Sequence, residues 1–358
     1  MKKRLLLLGL ICFAVWNAGA QNMLRSMEKT VRLDSSLYFE NRTLRSQVLN
    51  FAQLRNEEGM TDVTPMIHGI PVATYSLNAG GEVIANEASY FPEHLSQNFW
   101  NYKIDFVLKP TFVASFGNFD KPTANKTSLL LNTNIVLPLG LSVYTGINFP
   151  LVNQLTSQPR TISPAPTYLS QFLNLGSYRY MSWSAGLFYR DRYGADFQYQ
   201  KADPSSKYSY GLDVNYSGLY YWYPREFRYT GFKDLSALFN FSVRWYKYNS
   251  QLKLTAGRFL YGDNGARLEF VRMYKKADVG FFSVASNHGV TLGLHLAFAI
   301  PPGSIAENKY VRLRTSEEFA WDYYYSTGYF IGERFRTNFR LDERLALYHT
   351  NYWNQFQR

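Results

Sequence analysis

The sequence has one cysteine, Cys12, and it lies within the first apolar run. A chain that loses that run keeps no thiol. Disulfide staples, thiolate metal sites and a cysteine nucleophile are then excluded, so an exported protein must hold together by packing and backbone pairing. Long apolar runs are missing too. Beyond Leu5 to Val15 no stretch approaches the roughly 20 residues that a membrane helix needs, which excludes a helical membrane protein. The five histidines, His68, His94, His288, His295 and His349, show no HExxH or comparable metal spacing. There is no glycine-rich phosphate loop, no CxxC and no carboxylate constellation, so no cofactor or metal is expected. The Ser286-Asn287-His288-Gly289 stretch has residue types used by lipid hydrolases, but no companion pattern supports catalysis. The reading is therefore of a protein that is not an enzyme.

The opening residues have the order of a signal peptide. Lys2, Lys3 and Arg4 form a basic start, Leu5 to Val15 an apolar centre, and Ala18-Gly19-Ala20 a small-x-small site, predicting cleavage between Ala20 and Gln21. Cys12 follows Ile11 inside the apolar run, which excludes a lipoprotein attachment site. Removal of residues 1–20 takes the net charge from +11 to +8. A basic exported protein faces anionic lipid, lipopolysaccharide phosphate or acidic polysaccharide rather than nucleic acid.

What the chain has in excess is aromatic side chains: 29 Tyr, 27 Phe and 7 Trp, or 18% of the residues. Tyr and Trp combine an apolar body with a polar tip, and barrels gather them in girdles at the two membrane surfaces. An aromatic-rich soluble sandwich has the same composition, so the decision rests on periodicity. Leu141, Val143, Thr145, Ile147 and Phe149 alternate with Ser142, Tyr144, Gly146 and Asn148. The same period of two runs through Tyr208–Ser217, Ser236–Tyr246 and Val290–Ala299. These segments are long enough to cross a bilayer on a tilt, which takes about 9–11 residues. Their polar faces carry Gly, Ser, Asn and Thr rather than the Lys and Glu of a solvated sheet, as a crowded or wet lumen requires.

The fold class that follows is all-β: a transmembrane antiparallel up-and-down β-barrel of about 12–14 strands, in the cell outer membrane, with a small N-terminal α/β appendage. An even strand number is expected, because it returns the chain to the side it came from. The divisions are 1–20 as signal peptide, 21–99 as a β-α-β unit on the periplasmic mouth or partly inside it, 100–326 as the barrel, and 327–358 as a last strand, a basic aromatic tail, or both. In the N-terminal unit, Leu33–Asn41 reads as extended and Thr43–Arg55 as helical. Val63–Leu77 reads as extended and irregular around Pro65 and Pro71. Leu137–Gly140, Arg190–Gly194, Lys247–Ser250 and Lys275-Lys276 read as tight turns. Thr156–Ser177 reads as a long exposed loop, giving short turns on one side and long loops on the other. Glu226–Phe232 is placed as a possible extra strand.

Two stretches carry a family resemblance. Phe39-Glu40-Asn41-Arg42-Thr43-Leu44-Arg45 resembles the opening "YENRxYR" motif of YjbH-type exopolysaccharide and capsule outer-membrane proteins. Gly257-Arg258-Phe259-Leu260-Tyr261-Gly262-Asp263-Asn264-Gly265-Ala266-Arg267-Leu268-Glu269 resembles their "GRxLxGDxGxxxE" hairpin, followed by Arg272 and by an "xIPxG"-like turn at Ile300-Pro301-Pro302-Gly303. Arg192-Tyr193-Gly194-Ala195 is similar to the family as well. The resemblance implies a role in exopolysaccharide or capsule export or surface assembly, alongside other polysaccharide-export proteins. Some members are larger and contain two barrels; this chain has room for one. The other reading of the composition is a general diffusion porin or a structural barrel.

The candidate site follows from the alternation. Lys103, Arg244, Lys253, Arg267 and Glu269 fall on inward positions and would line a basic path for an anionic polymer. Arg267 and Glu269 share one face, where an inward pair braces the wall. Glu40, Asn41, Arg42, Arg45, Gly257, Arg258, Gly262, Asp263 and Gly265 are the positions of the family-like motifs. Asp263-Asn264-Gly265 is expected to supply the positive φ of a tight turn. Asn41, Arg42 and Arg45 either bind an anionic group or dock the N-terminal unit on the barrel.

Overall fold

The computed structural model describes residues 62–78, 81–88, 104–116, 123–154, 161–223, 226–275, 277–299, 304–308, 310–316, 318–324, 331–337 and 340–355. The expected signal peptide, the expected extended and helical stretches between residues 33 and 55, Glu40, Asn41, Arg42, Arg45, Lys103 and the expected turn at 300–303 lie outside the described residues.

A small unit comes first: β1 (Asp62–Val63), β2 (Met66–Ile67), β3 (Ile70–Pro71), β4 (Ala73–Leu77) and β5 (Val83–Glu87). It is extended and broken at Pro65, as its sequence suggests. β1, β4 and β5 form one antiparallel sheet and β2–β3 a hairpin turned at His68-Gly69, both with positive φ.

The remaining strands make one large sheet. They are β6 (Ile104–Phe116), β7 (Thr123–Val136), β8 (Leu141–Asn153), β9 (Ser163–Pro164), β10 (Thr167–Asn174), β11 (Arg179–Phe188), β12 (Arg192–Ala202) and β13 (Tyr208–Tyr223). Then follow β14 (Glu226–Tyr229), β15 (Asp234–Trp245), β16 (Ser250–Arg258), β17 (Asn264–Met273), β18 (Ala277–Ser286), β19 (Gly289–Ala299), β20 (Ser304–Glu307), β21 (Val311–Thr315) and β22 (Glu318–Tyr324). Pairing runs between sequence neighbours and is antiparallel, and β8 pairs with β10 so that the order closes on itself. Four breaks are interruptions within one strand. β9 and β10 both lie against β8, and β14 and β15 both lie against β13. Similarly, β19 leads into β20 as β21 leads into β22, the two composite strands facing each other as a hairpin. The barrel is thus an up-and-down meander with an odd number of walls among the described residues. The expected even number is not what closes it. The closing contact is parallel, Val311↔Ile104 through Thr315↔Leu108 between β21 and β6.

That seam is held by charge. Asp105 on β6 accepts from Arg312 Nε at 3.0 Å and from Arg314 Nη2 at 2.7 Å, with Arg314 Nε at 3.0 Å. All three side chains are buried. Two guanidinium groups on one carboxylate fix the strand pairing where a parallel ladder gives less per residue than an antiparallel one.

The burial pattern shows the sheet to be inside out relative to a soluble one. On β13 and β15, Asp213, Asn215, Ser217, Ser236, Asn240 and Ser242 are buried, while Tyr210, Leu212, Val214, Leu235 and Phe239 are exposed. On β19, Leu292 is 68% exposed and Thr291 5%. Water cannot stabilise that arrangement, but hydrocarbon can. Aliphatic side chains such as Leu212, Val214, Leu254, Leu268 and Leu292 occupy mid-strand positions. Exposed Tyr and Trp are frequent toward the two ends, with Trp222, Tyr223 and Tyr229 at one and Tyr208, Trp245, Tyr246, Tyr248, Tyr274 and Tyr310 at the other, while exposed Phe112, Phe197, Phe239 and Phe281 lie within the strands. An apolar outer face with Tyr and Trp toward its rims is that of a transmembrane barrel.

Turn chemistry differs from the sequence reading in three places. Short turns occur at both ends: Leu139-Gly140 and Ser177-Tyr178 at one, Arg190-Asp191 at the other, each a pair of positive-φ residues that matches the strand twist. Several far-end connections lie outside the described residues. Thr156–Ser177 is not a single loop, since β9 and β10 run through it. Within Glu226–Phe232, Glu226–Tyr229 does form a strand, β14, but as the outer end of the β15 wall rather than an added one.

Candidate functional site

Asp105 stands at the end of the barrel that carries the 137–141 turn; this is called the near end. The N-terminal unit sits there. Pro71 O accepts from Asn174 Nδ2 at 2.8 Å, Val72 O accepts from Tyr180 Oη at 2.9 Å, and His68 Nε2 lies 3.0 Å from Tyr144 Oη. β22 leaves at the opposite, far end, beside the 287–288 turn.

The described residues that follow β22, 331–337 and 340–355, lie in the lumen. Gly332 N donates to Asp263 Oδ2 at 2.8 Å, Leu260 N donates to Glu333 O at 3.0 Å, and Glu333 pairs with Arg190. Phe335 joins Leu260, Phe188, Tyr168 and Tyr144 in a buried cluster. The middle of the lumen is polar. Arg340 meets Asp213 at 3.0 Å, Lys253 pairs with Asp342, Leu341 N donates to Gln198 Oε1 at 2.7 Å, and Arg244 Nη2 donates to Ala346 O at 2.7 Å. Two short helices follow, α1 (Leu341–Leu347) and α2 (Thr350–Asn354). They reach the near end, where Thr350 N donates to Pro204 O and Asn351 Nδ2 to Asn249 Oδ1, each at 2.9 Å. There Leu341, Leu345, Tyr348, Tyr352 and Trp353 pack with Ile67, Ile70, Val72, Tyr75 and Val83 of the N-terminal unit and with Phe172 and Tyr180 of the wall. The Trp353 and Tyr75 rings stack at 4.1 Å. Residues 331–355 therefore thread the barrel from end to end, and this returns the chain to its starting side despite the odd number of walls.

Of the inward residues named from sequence, Arg244, Lys253, Arg267 and Glu269 are buried on the lumen side, Lys103 lies outside the described residues, and the thread engages part of the set. Arg244 and Lys253 bind it. Arg267 and Glu269 pair with each other, Nε to Oε2 at 3.2 Å, with the guanidinium 3.5 Å over the Phe282 ring. In the 257–265 hairpin, Gly257 has φ +139 and a side chain there would strike the Ala237 carbonyl. Gly265 is hemmed in by the Ala285 carbonyl in the same way. The positive-φ turn residues are Tyr261 and Gly262, not Asp263-Asn264-Gly265; Asp263 has φ −76. Fully buried, Asp263 instead uses its carboxylate to accept from Gly332 N and, at 3.2 Å, from His288 N. Arg258 ends β16 on the exposed side. The Ser286 hydroxyl lies 3.3 Å from the His288 backbone N–H.

The thread itself was missed. Its signal is the charge-dense run Glu333-Arg334, Arg336, Arg340, Asp342-Glu343-Arg344, which cannot face lipid and lacks the alternation of a wall strand.

His349 gives the thread a pH dependence at the near mouth, outside the spanning strands. Its Nε2–H donates to Ser206 O at 2.9 Å, and its Nδ1 accepts from Asn351 N at 3.0 Å, so the neutral ring satisfies both. Burial pushes its pKa down to about 3 from the ordinary 6.5; Arg244 nearby acts in the same direction and the Ser206 carbonyl against it. Because the folded value lies below the unfolded one, this contribution to docking is complete above about pH 6.5 and declines as pH falls toward about 3. Protease protection of the C-terminal segment should therefore weaken between pH 7 and pH 4, and His349→Asn should flatten that profile. An equally steep profile in the variant would assign the dependence to other groups.

No family model matches the chain, and no curated protein does. Among solved structures it is similar to OmpT (in-vitro folded), an outer membrane protein of Vibrio cholerae, at 7% identity and a TM-score of 0.29, over 62% of this chain and 97% of that one. A likeness that low adds nothing to the barrel geometry above.

Proposed function

We propose that the protein is an outer-membrane barrel that serves export or surface assembly of exopolysaccharide or capsule, and that it rests closed. The observation that supports this reading is the use made of the Gly257–Glu269 hairpin. The stretch that carries the family resemblance supplies Leu260 and Asp263, the groups that grip the luminal segment at its far end. Its partners are outer-membrane lipid and lipopolysaccharide, an anionic polysaccharide, and other polysaccharide-export proteins. The work is positional and breaks no bond. An inward surface of Arg244, Lys253, Arg267 and Glu269 would meet a polymer only where the thread leaves it. A general diffusion porin fits less well, since the thread runs the length of the lumen.

The test is genetic. A strain lacking the chain should show reduced or mislocalised surface polysaccharide, restored by the wild-type sequence. Unchanged polysaccharide at the surface, with the protein normally present in the outer membrane, would remove this role and leave the barrel.

A further inference from the structure

We infer that residues 331–355 form a displaceable plug, and that the N-terminal β unit is the clamp that keeps it in the lumen. This rests on the barrel geometry alone, whatever the polymer.

The interface between thread and barrel is divided. Part of it is apolar and aromatic: Phe335 packs on Leu260 and on Phe188, whose stack continues through Tyr168 to Tyr144, and Trp353 and Tyr352 pack against Tyr75 and Val83. The middle also carries ionic ties, Lys253–Asp342 and Arg340–Asp213, and Arg190–Glu333 adds one at the far mouth. That middle is incompletely satisfied. Arg244 Nη1, Arg334 Nη1, Asn215 Oδ1, Ser236 Oγ and Asn240 Nδ2 are buried and make no hydrogen bond within the described protein. Burying polar groups of this kind costs desolvation, which offsets part of what the apolar packing contributes to docking.

The near-end packing is not made with the wall alone. Tyr75 stacks on Trp353 and its hydroxyl donates to Tyr348 O, while Val83 N donates to Asn354 Oδ1 at 2.8 Å. The N-terminal unit holds the wall at Asn174, Tyr180 and Tyr144 and at the turn that follows β10, where Ser177 N donates to Glu87 Oε1 at 2.5 Å. A force or a partner that lifts the unit from the mouth removes the apolar half of the near-end anchor. What then holds the thread is the set of ionic ties and the packing of Phe335. The thread is attached to β22 at the far end, so it withdraws in that direction.

Two measurements test this. In planar bilayers the full chain should stay mostly closed, and a chain stopped after residue 330 should conduct persistently. A truncated barrel that still shifts on boiling and conducts no more than the full chain would overturn the plug. Independently, in a Cys12→Ser background, Leu345→Cys places the only thiol on the buried face of α1. Adding Tyr75→Ala should accelerate its modification by a water-soluble maleimide at least about tenfold, a factor equivalent to about 1.4 kcal/mol in the closing equilibrium. Equal labelling rates with and without Tyr75→Ala would overturn the clamp, even where the truncated chain fails to fold.

Discussion

Asp105→Ala is expected to open the barrel along its seam, at a cost of about 3–5 kcal/mol. The wall is continuous and antiparallel except where β21 meets β6, and that parallel contact is short, from Val311↔Ile104 to Thr315↔Leu108. Arg312, which is fully buried, and Arg314 both direct a guanidinium at the one carboxylate. Removing it leaves two cations in a low-dielectric wall without their shared counter-charge, the circumstance in which breaking a buried pair costs most. Asp105→Asn keeps the shape and an acceptor and should cost less. Urea midpoints in detergent, together with the mobility shift on boiling, provide the measurement. If Asp105→Ala kept the wild-type midpoint and the full shift, the ladder hydrogen bonds alone would be closing the barrel.

Trp353→Ala is expected to undock the N-terminal unit and the C-terminal segment together, costing about 3–5 kcal/mol of their mutual packing. The indole is fully buried and stacked on Tyr75, in the one cluster that joins β2–β5, α1, α2 and the walls at Phe172 and Tyr180. Truncation there removes the largest side chain of the cluster and leaves a cavity between elements that are not otherwise covalently close, separated by most of the chain. Trypsin should then release fragments from both ends, while the barrel retains its boiling shift. Loss of the shift as well would mean that the cluster is needed to fold the barrel rather than to dock its two ends. Intact termini would mean that the polar ties through Arg244, Lys253 and Asp213 are sufficient.

The wall was legible in the sequence because a barrel strand is a local object. In β13 the alternation of Tyr210, Leu212 and Val214 with Gly211, Asp213 and Asn215 states which side each residue faces, and the chemistry of the polar side states that it faces a lumen. Arg267 and Glu269 could be paired on one face for the same reason. Turn positions were less legible. Tyr261 holds a positive φ that no residue preference announces, and Asp263-Asn264-Gly265, which has the composition of a turn, lies in or beside strand β17.

By itself the sequence determined that the chain crosses a membrane as strands, which face of each strand meets lipid, and that wall cations at Arg244 and Lys253 lie inside. Period two fixes a side chain's direction within one strand, and nothing beyond the strand is needed to read it. Only the tertiary structure decided how the ring closes and what fills it. The parallel seam of β6 and β21 joins residues about two hundred positions apart, and the passage of 331–355 through the lumen depends on single ion pairs and one stacked tryptophan. Such contacts leave no period in the chain, because each joins one residue to one distant residue rather than a face to a solvent.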